Sequence, residues 1–336
     1  MSVFVIAEIG PNHNGDIALA KQMIKELSKT GADAVKFQIS KPENLHSKDS
    51  FKARYWNDGV DLGDPLEMSR KLNFSQNQHI ELANYCDECG IEYMCTAFDL
   101  ESLKFLDKVV NIKRFKIPSG DLLTPDILEY VSKQNKPIIM STGMATYRDI
   151  EAAIDFVNSR FKGGLTVLHC VSSYPAPIDS VNLLCMDEIK QRFGVHVGYS
   201  DHTLGKSVAL AAVALGAEVI EKHVTTDRNL PGPDHKASAL IPEFKTLVED
   251  IRNVSLCLGG RQKVFTDEEL DVASVAKKSV VTRRDLKAGA NISEDDICFK
   301  RPGTGIPAFS FRSVIGRKLI RDLQEGKLIR LDDLDD

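Results

Sequence analysis

The sequence predicts a (β/α)8 barrel followed by a small β-rich domain, an α/β architecture, and three observations carry that reading. Short apolar runs alternate with amphipathic stretches from the N-terminus to about residue 258. Eight such strand-and-helix units fall within about 260 residues, the count and length that a closed parallel barrel needs. Beyond Lys277 the pattern changes to short strands and turns.

The expected strands are Val3–Glu8, Ala34–Gln38, Glu92–Thr96, Arg114–Ile117, Pro137–Ser141, Leu165–Cys170, Val195–Ser200 and Glu218–His223. Helical patterns follow them at 15–30, 75–90, 100–108, 124–134, 147–159, 180–193, 206–216 and 242–258. Asn14-Gly15 reads as the start of the first helix and Lys29-Thr30-Gly31 as its end. Ser75 reads as a cap of the second, and Thr124-Pro125 puts proline at the first position of another. A doubly wound sheet would carry a GxGxxG turn after its first strand, and none is present. The expected domains are a barrel over 1–260, a charged linker over 261–276 and a β-rich domain over 277–336. Strands are expected in the last at Ser279–Thr282, Leu286–Gly289, Ile297–Arg301, Gly316–Ile320 and Gly326–Leu331, with a frayed acidic tail, Leu331–Asp336.

Composition narrows the function. The 336 residues are 43% apolar, enough for a large core. Lys and Arg number 43 against 48 Asp and Glu, a net charge of −5. Nucleic-acid and membrane-surface proteins need a basic face, so any positive site here must be local and suited to a small anion. No apolar stretch approaches the roughly 20 residues of a membrane span, and Met1–Glu8 lacks a basic leader, so a cytoplasmic location is expected. Seven scattered cysteines argue against a disulfide framework. Cys86 and Cys89 form a lone CxxC inside a helical pattern and read as ordinary helix thiols.

A barrel of this kind places its chemistry at the C-terminal strand ends. Polar residues gather there: Glu8, Lys36, Gln38, Thr96, Lys116, Ser119, Ser141, Thr142, Ser172, Tyr174, Ser200, Asp201, His202, Lys222 and His223. His202 and His223 leave adjacent strand ends, where two imidazoles, a carboxylate such as Glu8 and water would suit a divalent metal like Mn2+. Lys36, Lys116 and Lys222 are read as inward-facing lysines, costly to bury unless they hold an anion. Ser119-Gly120 and Ser141-Thr142-Gly143 add hydroxyls and backbone amides suited to phosphate oxygens. A Schiff base on Lys116 or Lys222 is the competing chemistry, less economical beside a histidine pair. The stretch from Ser40 to Phe74, with Tyr55-Trp56, is long for a barrel loop and reads as a lid or selectivity element.

Several segments resemble the sialic acid synthase family: Ile6–Gly15, Lys36-Phe-Gln38, Phe115–Asp121, Ser141–Met144, His169–Pro175, Gly198–Thr203, Glu221-Lys-His223 and Gly232-Pro-Asp234. The C-terminal part, with Phe299-Lys-Arg-Pro-Gly303, resembles that family's antifreeze-like (SAF) domain. The resemblance spans nearly the whole chain in order. It implies a swapped homodimer in which one subunit's SAF domain caps its partner's barrel, and a divalent metal, usually Mn2+, on His202 and His223. It places Lys36, Thr96, Lys116, Ser119, Ser141 and Ser200 at a phosphoenolpyruvate site. Glu8, Gln38, Tyr174 and Asp234 then surround sugar and metal, and Arg301 is the arginine delivered by the partner.

The implied reaction is N-acetylneuraminate synthesis, in which C3 of phosphoenolpyruvate attacks the aldehyde of N-acetylmannosamine or a close N-acetylated sugar. The metal would polarise that aldehyde, and water positioned by Glu8 would add at C2 before phosphate leaves. Asp121 and Ser172 occupy positions where other members carry different residues. They leave the sugar among N-acetylmannosamine, its 6-phosphate and the diacetamido precursors of legionaminic or pseudaminic acid. A 3-deoxy-octulosonate-type synthase and a non-catalytic carbohydrate-binding barrel are the other readings. The SAF-like domain opposes the first and the intact polar set opposes the second.

Overall fold

Eight parallel strands close on themselves because β1 pairs with both β2 and β8. The computed structural model describes residues 3–51, 64–161 and 163–335. The chain divides into two units, Met1–Gly259 and Gly260–Asp336. In chain order the first half of the barrel is β1 (Phe4–Glu8), α1 (Ile17–Leu27), β2 (Ala34–Ile39), α2 (Pro42–Leu45), α3 (Pro65–Leu72), α4 (Gln76–Cys89), β3 (Glu92–Ala97), α5 (Leu100–Phe105) and β4 (Phe115–Ile117). The second half is α6 (Pro125–Ser132), β5 (Ile138–Ser141), α7 (Tyr147–Asn158), β6 (Leu165–Cys170), α8 (Leu184–Phe193), β7 (His196–Asp201), α9 (Ser207–Ala214), β8 (Val219–Thr225), β9 (Ala239–Leu240) and α10 (Ile241–Leu258).

Strand side chains alternate between two buried environments. Outward-facing residues such as Val5, Val35, Phe37, Val167 and Ile220 join the helices in one continuous core. Inward-facing Ile6, Ala34, Met94, Ile139, Leu168 and Val219, with Phe4 packed beneath, plug the barrel's N-terminal end. Burying a large aliphatic chain contributes about 1.5–3 kcal/mol, so this plug anchors β1, β2, β3, β5, β6 and β8 below the barrel mouth.

Local chemistry sets the helix ends. Asp16, rather than Asn14-Gly15, caps α1, accepting from the Ala18 and Leu19 amides. Asn14 and Gly15 form the preceding turn with φ of 51° and 76°. A Cβ on Gly15 would lie 2.6 Å from the Lys71 carbonyl oxygen, so this turn requires glycine. Ser75 forms the expected capping box with Gln78. The stretch after β2 folds into the short helices α2 and α3; Tyr55-Trp56 lies outside the described residues. All seven cysteines are free, Cys86 and Cys89 within α4. Among the described residues no helix is long and apolar enough to cross a membrane.

The second unit begins with α11 (Asp267–Ala276), capped by Thr266, within the stretch expected to be linker. Next, β10 (Ser279–Thr282) pairs antiparallel with β11 (Ile297–Lys300). The other expected strands reduce to single bridges, Leu286 with Leu323, Leu319 with Leu334 and Val281 with Leu328. Val280, Leu286, Ile292, Ile297, Val314, Leu319, Ile329 and Leu334 form its core. The acidic tail is not frayed: Leu334 enters that core, and Asp333, 1% exposed, pairs with Arg321. Pairing decides this, because a buried carboxylate with an arginine partner is retained where a lone one would be expelled.

Candidate active site

Register builds the site. At the C-terminal barrel end it sets His223, Glu8 and Lys36 side by side on β8, β1 and β2. It likewise aligns Gln38, Thr96 and Lys116 across β2, β3 and β4, and Cys170, Ser200 and Glu221 across β6, β7 and β8. All face inward; on β1, β2, β3, β6 and β8 they stand two or four residues beyond the apolar plug, while β4 and β7 carry Arg114 and Gly198 at that level.

These side chains form one buried polar network. Lys36 Nζ lies 2.7 Å from Glu8 Oε2 and 3.7 Å from Glu221 Oε2, and it donates to Thr96 Oγ1 at 2.9 Å. Gln38 Nε2 donates to Glu8 Oε1 at 2.8 Å. Lys116 Nζ donates to Ser141 Oγ at 2.8 Å and stands 3.4 Å from Glu221 Oε1, which also accepts from Ser200 Oγ at 3.0 Å. Two carboxylates and two ammoniums thus share an interior where none is more than 5% exposed. Desolvation dominates Glu8 and, despite Lys36, raises its pKa to about 7. Burial also works against the Glu221 carboxylate, but Lys116 and Lys36 outweigh it and hold its pKa down at about 2. Burial pushes the Lys116 amine below its usual range, with Glu221 the main opposing influence.

A corner of hydroxyls adjoins Lys116. The Gly143 amide donates to Ser119 Oγ at 2.9 Å, and a Cβ on Gly143 would fall 2.1 Å from Ser172 Oγ. Glycine is therefore required for the Ser119 and Ser172 loops to approach, which places donors from three strand ends around one anion-sized corner.

The imidazoles of His202 and His223 face each other with ring centres 5.4 Å apart. Tyr174 packs against His202 at 4.1 Å with its ring tilted by 35°, and it meets His223 edge-on at 5.7 Å. His202 Nδ1 bonds the Val171 carbonyl oxygen at 2.8 Å, which as an N–H donor leaves Nε2 with a lone pair. His223 Nδ1 is buried without a hydrogen-bond partner, 3.5 Å from Asp234 Oδ2. Burial keeps His223 neutral and raises Asp234 to about 6. Outward from this pair opens a cavity of about 370 Å³ that reaches Gln38, Tyr174, His223 and Asp234. Leu45, His46, Met68, Ser69, Leu72 and Asn73, on or beside α2 and α3, line its far side. His46 Nε2 bonds Ser69 Oγ at 2.7 Å and Arg70 pairs with Glu43 at 2.7 Å, fixing the two helices together.

The structure thus gathers Glu8, Lys36, Gln38, Thr96, Lys116, Ser119, Ser141, Ser172, Tyr174, Ser200, His202, His223 and Asp234 at one barrel mouth. Lys222 is a correction: it points out of the barrel, bonding Asp201 Oδ2 at 2.6 Å and the Thr203 carbonyl at 2.7 Å. Strand alternation requires this once Glu221 and His223 face inward. Glu8 is bound to Lys36 and Gln38, and among the described residues no three His, Cys, Asp or Glu side chains form a metal-holding group. Asp121 sits in a 3-10 turn, accepts from Thr124 Oγ1 at 2.9 Å, and lines a different cleft, with Asp99 and Asp126. Burial raises its pKa. Arg301 belongs to the second unit, exposed just after β11. Glu221, which the Glu221-Lys-His223 motif contains, is a further inward residue that the same alternation reveals.

A sequence model of the NeuB family matches residues 23–263, and one of the SAF domain matches 277–335. The chain is 41% identical over 331 residues to the N,N'-diacetyllegionaminic acid synthase of Legionella pneumophila, across 97% of this chain and 93% of that protein. It is 33% identical over 336 residues to the N-acetylneuraminate-9-phosphate synthase of Homo sapiens, across 97% and 91%. Among solved structures, the N-acetylneuraminic acid synthetase of Leptospira borgpetersenii has a TM-score of 0.73 at 31% identity, over 81% of this chain and 90% of that one.

Proposed function

The chain belongs to the NeuB family, and on that premise we propose that it condenses phosphoenolpyruvate with the open-chain aldehyde of an N-acetylated hexosamine, giving a nonulosonic acid and phosphate. The observation that carries this reading is the buried pair of lysines beside a hydroxyl corner, on the same inner face as a neighbouring pair of imidazoles. Lys36 and Lys116 supply the positive charge that the phosphate and carboxylate of phosphoenolpyruvate require in a low-dielectric interior. Thr96, Ser119, Ser141 and Ser172 provide neutral hydroxyls that fix its orientation, and Ser200 borders the site while donating to Glu221. In that pose the enol π pair joins C3 of phosphoenolpyruvate to the sugar's aldehyde carbon, the carbonyl π pair moves onto the aldehyde oxygen, and that oxygen takes a proton to become a hydroxyl. Glu8, with a pKa of about 7, is suited to take the proton of a water adding at C2. The C–O bond to phosphate then breaks, and the lysines hold the departing anion.

The imidazoles fit a divalent cation such as Mn2+. His223 has a buried ring nitrogen without a partner, and His202 presents the nitrogen opposite its carbonyl bond. Bound there, the ion would supply Lewis-acid polarisation of the aldehyde oxygen. Tyr174, Gln38 and Asp234 border the acceptor cavity, and no Lys or Arg lines it among the described residues. Arg301 from a partner would be the cation assigned to this site, and the acceptors proposed are N-acetylmannosamine or a diacetamido sugar, with the 6-phosphate as the alternative. We assign Arg301 to the acceptor site of a homodimer partner, on its exposure and on the likeness of Phe299–Gly303 to the SAF motif. Mixing Arg301→Ala with His202→Ala protein is then expected to restore part of the activity, and no recovery would place Arg301 at its own subunit's site.

The test is phosphate release from phosphoenolpyruvate and Mn2+ with N-acetylmannosamine, its 6-phosphate and a diacetamido trideoxy sugar, with product masses recorded. Release with one of the uncharged sugars is expected. No release with any acceptor refutes the condensation.

A further inference from the structure

We infer that Glu221 is a positioning residue, the shared counter-ion that keeps Lys36 and Lys116 charged and aimed before an anionic substrate binds. The inference rests on the assignment of those lysines to phosphoenolpyruvate. Glu8 cannot serve both, since one of its oxygens accepts from Gln38 and the other lies against Lys36. Lys116, 5% exposed, has Glu221 as the carboxylate paired with it.

Distances separate this role from a structural lock. On the outer face of the same strand, Lys222 and Asp201 close to 2.6 Å and a carbonyl takes a further ammonium proton at 2.7 Å. Glu221 stands back, at 3.4 Å from Lys116 and 3.7 Å from Lys36, held by Ser200 Oγ, and its Oε2 has no hydrogen-bond partner. At such separations Coulomb attraction in a buried site is largely kept, while the directional ammonium protons stay unspent. Lys116 is hydrogen-bonded to Ser141 alone in the network, so donors remain for a phosphate or carboxylate oxygen. The charged groups facing Lys116 are Glu221 from β8, Lys36 from β2 and Glu8 from β1, with the Cys170 thiol from β6. Of these, Glu221 most opposes the pull of burial toward a neutral amine. Without its charge, Lys116 would lose its proton at a lower pH and, with it, the attraction for an anion.

The experiment measures KM and kcat for phosphoenolpyruvate from about pH 7 to about pH 9, above the second phosphate ionisation. Wild type is examined first by calorimetric titration with phosphoenolpyruvate and Mn2+. Absence of binding there defeats the phosphoenolpyruvate assignment itself. Given binding, wild-type KM is expected to stay nearly flat with pH. Glu221→Gln is expected to raise KM about tenfold or more by the alkaline end, with recovery toward wild type at the neutral end, because only charged Lys116 attracts the anion. Glu221→Asp, which keeps the charge, should remain flat. A Glu221→Gln enzyme whose KM tracks wild type at every pH, its loss confined to kcat, overturns the inference. Should that variant fail to fold, Glu221→Gln combined with Lys116→Gln decides. Recovery of a folded chain supports Glu221 as the partner of Lys116, and persistent unfolding overturns it.

Discussion

The inner rung built from Ile6, Met94, Ile139, Leu168 and Val219 and the rung two residues further on, with Glu8, Thr96, Ser141, Cys170 and Glu221, share strands, backbone geometry and burial. They differ in chemistry. The first removes apolar area from water and stabilises the closed sheet. The second holds buried charges whose desolvation their partners only offset, so it adds function at little net gain in stability. Both rungs lie on the same inner face, so position along the barrel, plug end or mouth, sets the difference, while alternation separates each inner side chain from the chain neighbours that face the helices.

Removing an imidazole from the polar rung should have the largest catalytic effect. For His202→Ala or His223→Ala we expect metal-dependent turnover to fall about 1,000-fold or more, roughly 4 kcal/mol in the barrier. Thermal unfolding should move little for His223→Ala, since its Nδ1 atom has no hydrogen-bond partner to strand, and somewhat more for His202→Ala, which frees the Val171 carbonyl. Turnover near the wild-type rate would break the metal assignment. The converse holds one rung down. Leu168→Ala should cost about 2–5 kcal/mol of unfolding free energy, with kcat/KM of the folded protein kept within a few-fold. A larger kinetic loss would show that the rungs are coupled.

The two faces of β8 give a sharper version. Lys222 and Glu221 are chain neighbours, yet one faces the helices and the other the site. Lys222→Met leaves Asp201, 1% exposed, without its cation. We expect about 3–5 kcal/mol of lost stability, read by urea unfolding, and near-normal KM for phosphoenolpyruvate. A raised KM would return Lys222 to the anion site.

This contrast marks what the sequence made legible. The barrel was readable because each strand is a short apolar run ending in polar residues, and one face of each strand had to meet the helices. Lys222 was misassigned, and Glu221 left without a role, for one reason: polarity at a strand end was read without parity, although an inward His223 forces an inward Glu221 and an outward Lys222. Asp121 sits in a three-residue 3-10 turn, Ser119–Asp121, that turns its carboxylate toward Thr124, and so short a turn has no period to detect. The helices α2 and α3, four and eight residues long, are likewise too short for a periodic signal. They form because proline begins each and because cross-links such as His46–Ser69 hold them. The acidic end looked disordered by composition, but Arg321 and the Leu334 contact fold it back.

A third kind of buried polar group stays uncharged. His13, His79 and His235 are pushed by burial to about 3, 4 and 4. Their folded pKa values lie below the unfolded value near 6.5, so below that pH the unfolded chain binds more protons. Their stabilisation is present above pH 6.5 and is lost as pH falls through 6.5 toward 4. At pH 5 each should cost about 2 kcal/mol relative to pH 7, visible as a falling urea midpoint. His79→Gln, which does not titrate, should flatten part of that slope; an unchanged slope would mean His79 is not held neutral.

The smallest effect should come from the acceptor wall, and it separates the two halves of the site. Ser69→Ala removes the hydroxyl that His46 bonds at 2.7 Å, loosening α3 from α2 by about 0.5–1.5 kcal/mol. Both residues line the cavity proposed for the acceptor, and neither adjoins the lysine network. KM for the sugar should therefore rise a few-fold while KM for phosphoenolpyruvate holds, measured by varying each substrate at saturating levels of the other. Equal shifts in both would show that the wall also shapes the anion site, and would merge two subsites that the geometry keeps apart.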